Sequence, residues 1–159
     1  MIPGVWAYKS PAVQFKSETA IASAARGVVG KTAENALGPY YEKVGINEGN
    51  FFFEFLEDGK VKIHCGNSTF GGSWKYDNEN SRLKMTFAMV ISLTAFVEVK
   101  GKKMEMLFDA TTLMKILRIV TANSSDSTTA AIGAVLKSYD DMYAGFNLAK
   151  SKAHFTNSE

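Results

Sequence analysis

The residues that come nearest to a known chemistry are Ala25-Arg26-Gly27-Val28-Val29-Gly30-Lys31-Thr32. A small residue, four of any kind and then Gly-Lys-Thr is the looser form of a phosphate-binding loop. In such a loop, backbone amides at a helix start cradle phosphates and the lysine reaches the outer ones. A hydrophobic run ending in Asp109 even imitates the second acidic motif. The mechanism, however, needs a buried strand feeding the loop. Here Glu18 to Ala24 are helix-like, Pro39 ends the helical run soon after Thr32, and the remaining chain is a meander rather than a series of βαβ units. The string reads as a small-residue helix, and no nucleotide site is expected.

The other reactive side chains are isolated. His64 and His154 have no Cys or carboxylate at ligand spacing, and His64 shares the Lys60/Lys62 face, so it is expected in solvent. No Gly-x-Ser-x-Gly elbow occurs. Asp77-Asn78-Glu79-Asn80 lacks the glycine and distal glutamate of a calcium loop, and Asp140-Asp141 has the place of a cap or turn. Asn67-Ser68-Thr69 matches a glycosylation acceptor, a pattern short enough to recur by chance. The lone Cys65 excludes an internal disulfide and a four-thiolate zinc site, and reads as a small core hydrophobe. No catalytic residue, metal or cofactor is expected, and the chain is not read as an enzyme.

Composition sets the class. The 159 residues fit one domain, 1–159, able to bury roughly 70% of the surface its unfolded chain exposes. Hydrophobic residues at 46% and charged residues at 21% are the balance of an ordinary globular protein rather than a disordered one. The net charge of +2 comes from scattered lysines and arginines. Without a basic stripe to neutralise phosphates, nucleic acid is not an expected partner. No segment approaches the ~20 apolar residues that cross a bilayer. A strand-like run begins at Gly4, almost at Met1. Natural chains seldom start a core strand so abruptly, so residues are expected to precede Met1 in the native chain, and the missing signal peptide carries little weight.

Periodicity places the elements. A first strand runs from about Val5 to Tyr8 and continues near Ala12 to Lys16. Ser17 is placed to cap a helix running toward Leu37, with Gly38 and Pro39 ending it and a short second helix at Tyr40 to Val44. From Asn50 the period becomes two. Phe51, Phe53 and Phe55 alternate with Phe52, Glu54 and Leu56; then come Val61, Ile63 and Cys65, and then Phe70, Gly72, Trp74 and Tyr76. Glu57-Asp58-Gly59, Gly66-Asn67, Asp77 to Asn80 and Lys100-Gly101-Lys102 are the turns. Leu83, Met85, Phe87, Met89 and Ile91 form one long alternating run, followed by Ala95, Val97 and Val99 and by Met104, Met106 and Phe108. Asp109 caps a helix with Leu113, Ile116, Leu117 and Val120 on one face, Thr128 to Ser138 is helical again, and Met142 to Ala149 is the last strand. The expected fold is mainly β: about eight antiparallel strands closed into a barrel, with helical insertions at about 17–45 and 109–138. Trp6 and Trp74, in strand runs, are expected to be buried.

Specific strings sharpen this. Gly4-Val5-Trp6 resembles the opening Gly-x-Trp of the lipocalin-like, or calycin, barrels, and Gly72-Ser73-Trp74-Lys75-Tyr76-Asp77 with Leu83 resembles their mid-barrel hairpin. More closely, Trp6-Ala7-Tyr8, Ser10-Pro11-Ala12-Val13, Tyr40-Tyr41-Glu42-Lys43-Val44-Gly45-Ile46 and Tyr143-Ala144-Gly145-Phe146 resemble a lipocalin-like family of unknown function in secreted proteins of gut-dwelling bacteria. That resemblance covers nearly the whole chain. It implies the barrel fold and export to the periplasm or cell surface, and no activity. Helices on both sides of the meander depart from true lipocalins and argue against an open-mouthed ligand cup.

The inward set then defines the candidate site: Phe51, Phe53, Met85, Phe87, Met89, Met104, Met106 and Phe108. Four of these are adaptable methionines, and Gly72 and Ala95 on the same parity leave some room. Such a lining suits a small apolar ligand and not a sugar or nucleotide, whose polar groups would go unpaired. The leading expectation is a non-enzymatic domain binding a small apolar ligand in the barrel. The alternative is a filled barrel acting as a structural or protein-interaction domain. Phe52, Leu56, Val90, Phe96 and Leu107 share the outward parity with charged residues, and a helical insertion on the outer wall is expected to cover part of this set through Ile21, Val28, Leu113, Ile116 or Leu117. The oligomeric state is open.

Overall fold

A computed structural model describes residues 2–15, 20–121, 126–138, 142–153 and 155, with the side chains of 20–31, 126 and 127 excluded. The elements in chain order are β1 (Gly4–Phe15), α1 (Ala20–Lys43), β2 (Phe51–Phe55), β3 (Lys60–Cys65), β4 (Ser68–Asp77), β5 (Arg82–Phe87), β6 (Ile91–Lys100), β7 (Lys103–Phe108), α2 (Ala110–Val120), α3 (Asp126–Lys137) and β8 (Met142–Ser151). The strands form a closed antiparallel barrel in sequence order, β8 returning to pair with β1. The eight-stranded barrel with helices after the first strand and before the last is the fold the alternation called for.

Alternation also places the core. Phe51, Phe53 and Phe55 of β2 are buried, as are Val61 and Ile63 of β3, Leu83, Met85 and Phe87 of β5, and Met104, Met106 and Phe108 of β7. β1 and its expected continuation form one strand, Gly4–Phe15. Its register on β8 shifts between Tyr8 and Ser10, which accommodates Pro11 while keeping pairing through to Phe15.

Two local expectations are corrected. Gly38 and Pro39 do not end the first helix, because α1 runs unbroken to Lys43. Ala33, Leu37 and Tyr41, four residues apart along one stripe, are all fully buried, so burial on both sides of Pro39 outweighs the lost amide and the ring clash. The whole Ala25–Thr32 string lies inside this helix, with no strand-to-helix loop for phosphates. The second correction concerns the run through Met89. It is not one strand: the chain reverses at Ala88 to Val90, between Phe87 and its partner Ile91.

The helices lie across one end of the barrel. β1, β3, β5 and β7 finish there, and β2, β4, β6 and β8 begin there. α2 touches β4, β6, β7 and β8, half the circumference, which an element lying across the mouth can do. Asp109 caps it, accepting from the Thr112 amide at 2.7 Å, and Leu113, Ile116 and Leu117 point into the core. α1 packs on β1, and α3 packs on both other helices. Among the described residues, the buried apolar side chains of the helices belong to the same core as the barrel interior. Of that set Leu107 is buried, Phe52 lies against Phe155, Phe96 lies against Tyr143 and Arg82, and Val90 is 81% exposed. At the opposite end Ile2 is buried and its carbonyl accepts from the Trp6 indole at 2.9 Å. Ser17, Asn123, Asp140, Asp141 and His154 lie outside the described residues, as do the side chains of Ile21 and Val28.

Candidate functional site

β2, β5 and β7 bring seven of the expected lining residues to the interior: Phe51, Phe53, Met85, Phe87, Met104, Met106 and Phe108, all buried. Met89 is not among them. It is 93% exposed at the β5–β6 turn, outside the barrel. The error has a physical cause. Ala88 and Met89 carry φ of 53° and 65°, the left-handed region that turns of this kind require, and neither residue advertises it as Asn-Gly would.

The interior is packed around Phe146. Its ring lies 5.2 Å from Phe51, 5.6 Å from Tyr41, 5.9 Å from Phe53, 6.0 Å from Tyr8 and 6.1 Å from Phe108, tilted or edge-on in each case. These are the separations and attitudes of mutually attractive rings. Tyr41 reaches down from α1 and donates its hydroxyl to the Gly145 carbonyl at 3.3 Å. Burial pushes the phenols of Tyr41 and Tyr8 above their ordinary values, and the carboxylates of Glu42 and Glu48 add to the effect at Tyr8, so both stay neutral. Gly72 does not open space either. A Cβ there would collide with the Thr86 carbonyl and lie 2.8 Å from the Phe87 ring, which occupies the room the glycine frees.

A second cluster lies on the outer wall, where solvated lysines were expected. Phe52, His64 and Thr69 pair directly across β2, β3 and β4. His64 is only 6% exposed. Its Nε2 is 2.9 Å from Glu54 Oε1, its Nδ1 is 3.2 Å from Thr69 Oγ1, and the Phe155 ring stacks on the imidazole at 3.6 Å, nearly parallel. Hydroxyl, imidazole and carboxylate stand in a row, the order of an acyl-transfer relay. Yet the imidazole is sealed beneath Phe155, and the cleft beside Glu54 is lined by Val5, Ser151, Lys152, Ala153 and Phe155 but by neither His64 nor Thr69. The row therefore anchors the C-terminal segment. Parity in β3 correctly put His64 on the outer face. What it could not supply was the aromatic arriving from ninety residues downstream.

Further clefts among the described residues open on the outer wall. One of about 440 Å³ runs over the β1 register shift, lined by Lys9, Ser10, Lys103, Glu105 and Asn147 among others. Burial raises the Glu105 carboxyl, with Glu98 and Glu34 reinforcing the shift and Lys100 opposing it. Another, of about 370 Å³, lies between Val90, Ile91 and Ser92 and the Lys115, Arg118 and Ile119 face of α2. Among the described residues no group of three His, Cys, Asp or Glu side chains is arranged to hold a metal.

The family comparison agrees with the barrel. Residues 1–150 match the family model described as "Lipocalin-like domain (DUF4923)". The chain belongs to that family. It is also similar to a solved structure, that of a DUF4847 family protein from Bacteroides vulgatus, at 14% identity over 95% of this chain and 94% of that one, with a TM-score of 0.40. No curated protein matches.

Proposed function

We propose that this lipocalin-like domain is a non-enzymatic interaction module whose barrel is filled by its own side chains and which works through its outer surface. The observation that supports this most directly is the Phe146 cluster: five rings converge on the volume where a ligand would sit. Among the described residues, helices cross one mouth, and Ile2 is buried beside Trp6 at the other, which supports a closed interior. Small-molecule sites are in general concave pockets of about 300–1,000 Å³ lined mostly by apolar groups. An exported location belongs to the same proposal and is supported by the family resemblance.

Titration with an environment-sensitive naphthalene dye and with palmitate tests the reading. No saturable binding and no rise in melting temperature is the expected result. Saturable uptake of one molecule per chain, with a raised melting temperature, would overturn it in favour of an apolar ligand inside the barrel.

A further inference from the structure

We propose that the β5–β6 hairpin tip and the adjoining face of α2 form a docking surface for a lipid bilayer that carries anionic headgroups. This rests on the reading that the domain acts through its outer surface, and it names that surface and its partner.

Three observations converge there. Met89 and Val90 are the large hydrophobic residues that stand exposed among the described residues, at 93% and 81%, and they are neighbours at one tip. The backbone that presents them is strained. The Val90 amide closes a turn onto the Phe87 carbonyl at 3.2 Å, with positive φ at both Ala88 and Met89, a conformation that Asn-Gly would adopt without penalty. A turn selected for stability alone would not keep Ala-Met at its centre. Behind the tip, an apolar recess of about 370 Å³ is bordered by Lys115 and Arg118, three residues apart on α2 and both exposed. Neither has an ion-pair partner among the described residues.

An apolar knob with unpaired cations at its base matches an anionic bilayer, where apolar side chains enter the acyl boundary and cations meet headgroups. Shape argues for lipid over protein. The side chains of Met89 and Val90 project almost clear of the body, and two residues cannot supply the roughly 800 Å² per partner that a specific protein interface buries. A second copy of this chain would bring like charges together across a two-fold axis.

Cosedimentation with vesicles tests this. The intact protein is expected to partition to mixed phosphatidylcholine–phosphatidylglycerol vesicles about tenfold or more above phosphatidylcholine alone at low salt, and less as salt shortens the screening length. Met89→Asp with Val90→Asp, and separately Lys115→Glu with Arg118→Glu, should each remove most of that preference with the melting temperature held. Lys60→Glu with Lys75→Glu makes the same charge change at the opposite end of the barrel and should leave it intact. Equal partition to both vesicle types, or equal loss in the Lys60/Lys75 variant, overturns the proposal. A concentration-dependent dimer abolished by Met89→Asp, without vesicle binding, reassigns the tip to self-association and overturns it as well. The readout is independent of dye uptake by the interior, so this surface and the filled-barrel reading fail separately.

Discussion

Phe146 and Met89 are both large apolar residues on strands or turns of one barrel, and they occupy its two extremes. Phe146 is fully buried and touches five other rings, while Met89 is almost wholly exposed on a left-handed backbone. Around Phe146 every local preference agrees: β-formers, inward parity and edge-on ring contacts point to the same arrangement. Around Met89 they conflict, since an apolar side chain faces water and a residue with a Cβ sits where glycine fits best. Where a fold is consistent, stability accounts for the sequence. Where it is not, a cause outside stability is needed, and the hairpin tip is the place in the described structure that most clearly needs one.

The contrast is broken most directly from the inside. Phe146→Ala is expected to cost about 3–5 kcal/mol in urea unfolding, the transfer loss of a buried ring plus the cavity left among its neighbours. A loss below about 1 kcal/mol would mean the cluster collapses onto the gap, and the interior would then have to be soft enough to accept a ligand. Trp6→Ala belongs to the same range, because Trp6 is fully buried and its indole is satisfied by the Ile2 carbonyl. Trp74 is half-buried, with its ring edge-on to Phe55 at 5.6 Å, so Trp74→Ala should cost visibly less. Equal costs would show that Trp74 is as tightly packed as Trp6.

The tip should respond in the opposite direction. Ala88→Asn together with Met89→Gly supplies the residues that its turn geometry asks for, and removes an exposed thioether in the process. The pair is expected to raise stability by about 1–2 kcal/mol. Unchanged or reduced stability would mean that the turn is not strained as its dihedral angles imply.

How far the sequence could be read follows the same division. Period-two alternation in β2, β3, β5 and β7 placed Phe51, Phe53, Ile63, Met85 and Met106 correctly, because a one-residue slip would have put a whole strand's apolar set into water. Gly66-Asn67 and Lys100-Gly101-Lys102 marked their turns through residues whose backbone freedom the turns require. Ala88-Met89 carries no such mark, so the alternation reads straight across the reversal and places Met89 inside. Pro39 misled for the converse reason: a local breaker was outweighed by Leu37 and Tyr41, whose burial is a tertiary fact. His64 was legible as outward and illegible as covered, since Glu54, Thr69 and Phe155 converge on it only once three strands are in register and the C-terminal segment folds back.

Glu105 gives the smallest effect and separates the outer wall from both extremes. It is half-buried in the cleft over the β1 register shift and lies directly across from Glu98, with Glu34 also acting on it. Its carboxyl is raised, first by burial and then by those two carboxylates, against a lesser pull from Lys100. The folded state therefore holds this proton to higher pH than the unfolded chain does. Between the ordinary carboxylate range, near 4.3 for glutamate, and the raised value, stability falls as pH rises, and above that window the full penalty is present. Glu105→Gln removes the penalty. At pH 7 the variant is expected to be more stable by about 0.5 kcal/mol, kept small because a half-exposed group is well screened. The gap should close as pH is lowered toward 4, where the native side chain is itself neutral. Urea unfolding of the two proteins across that range reads the difference directly. A gap that persists at low pH would mean the glutamine gains a contact of its own. A destabilised variant at pH 7 would mean that the ionised carboxylate is held by a cation in the cleft, Lys9, Lys100 or Lys103, more strongly than burial and its acidic neighbours oppose it.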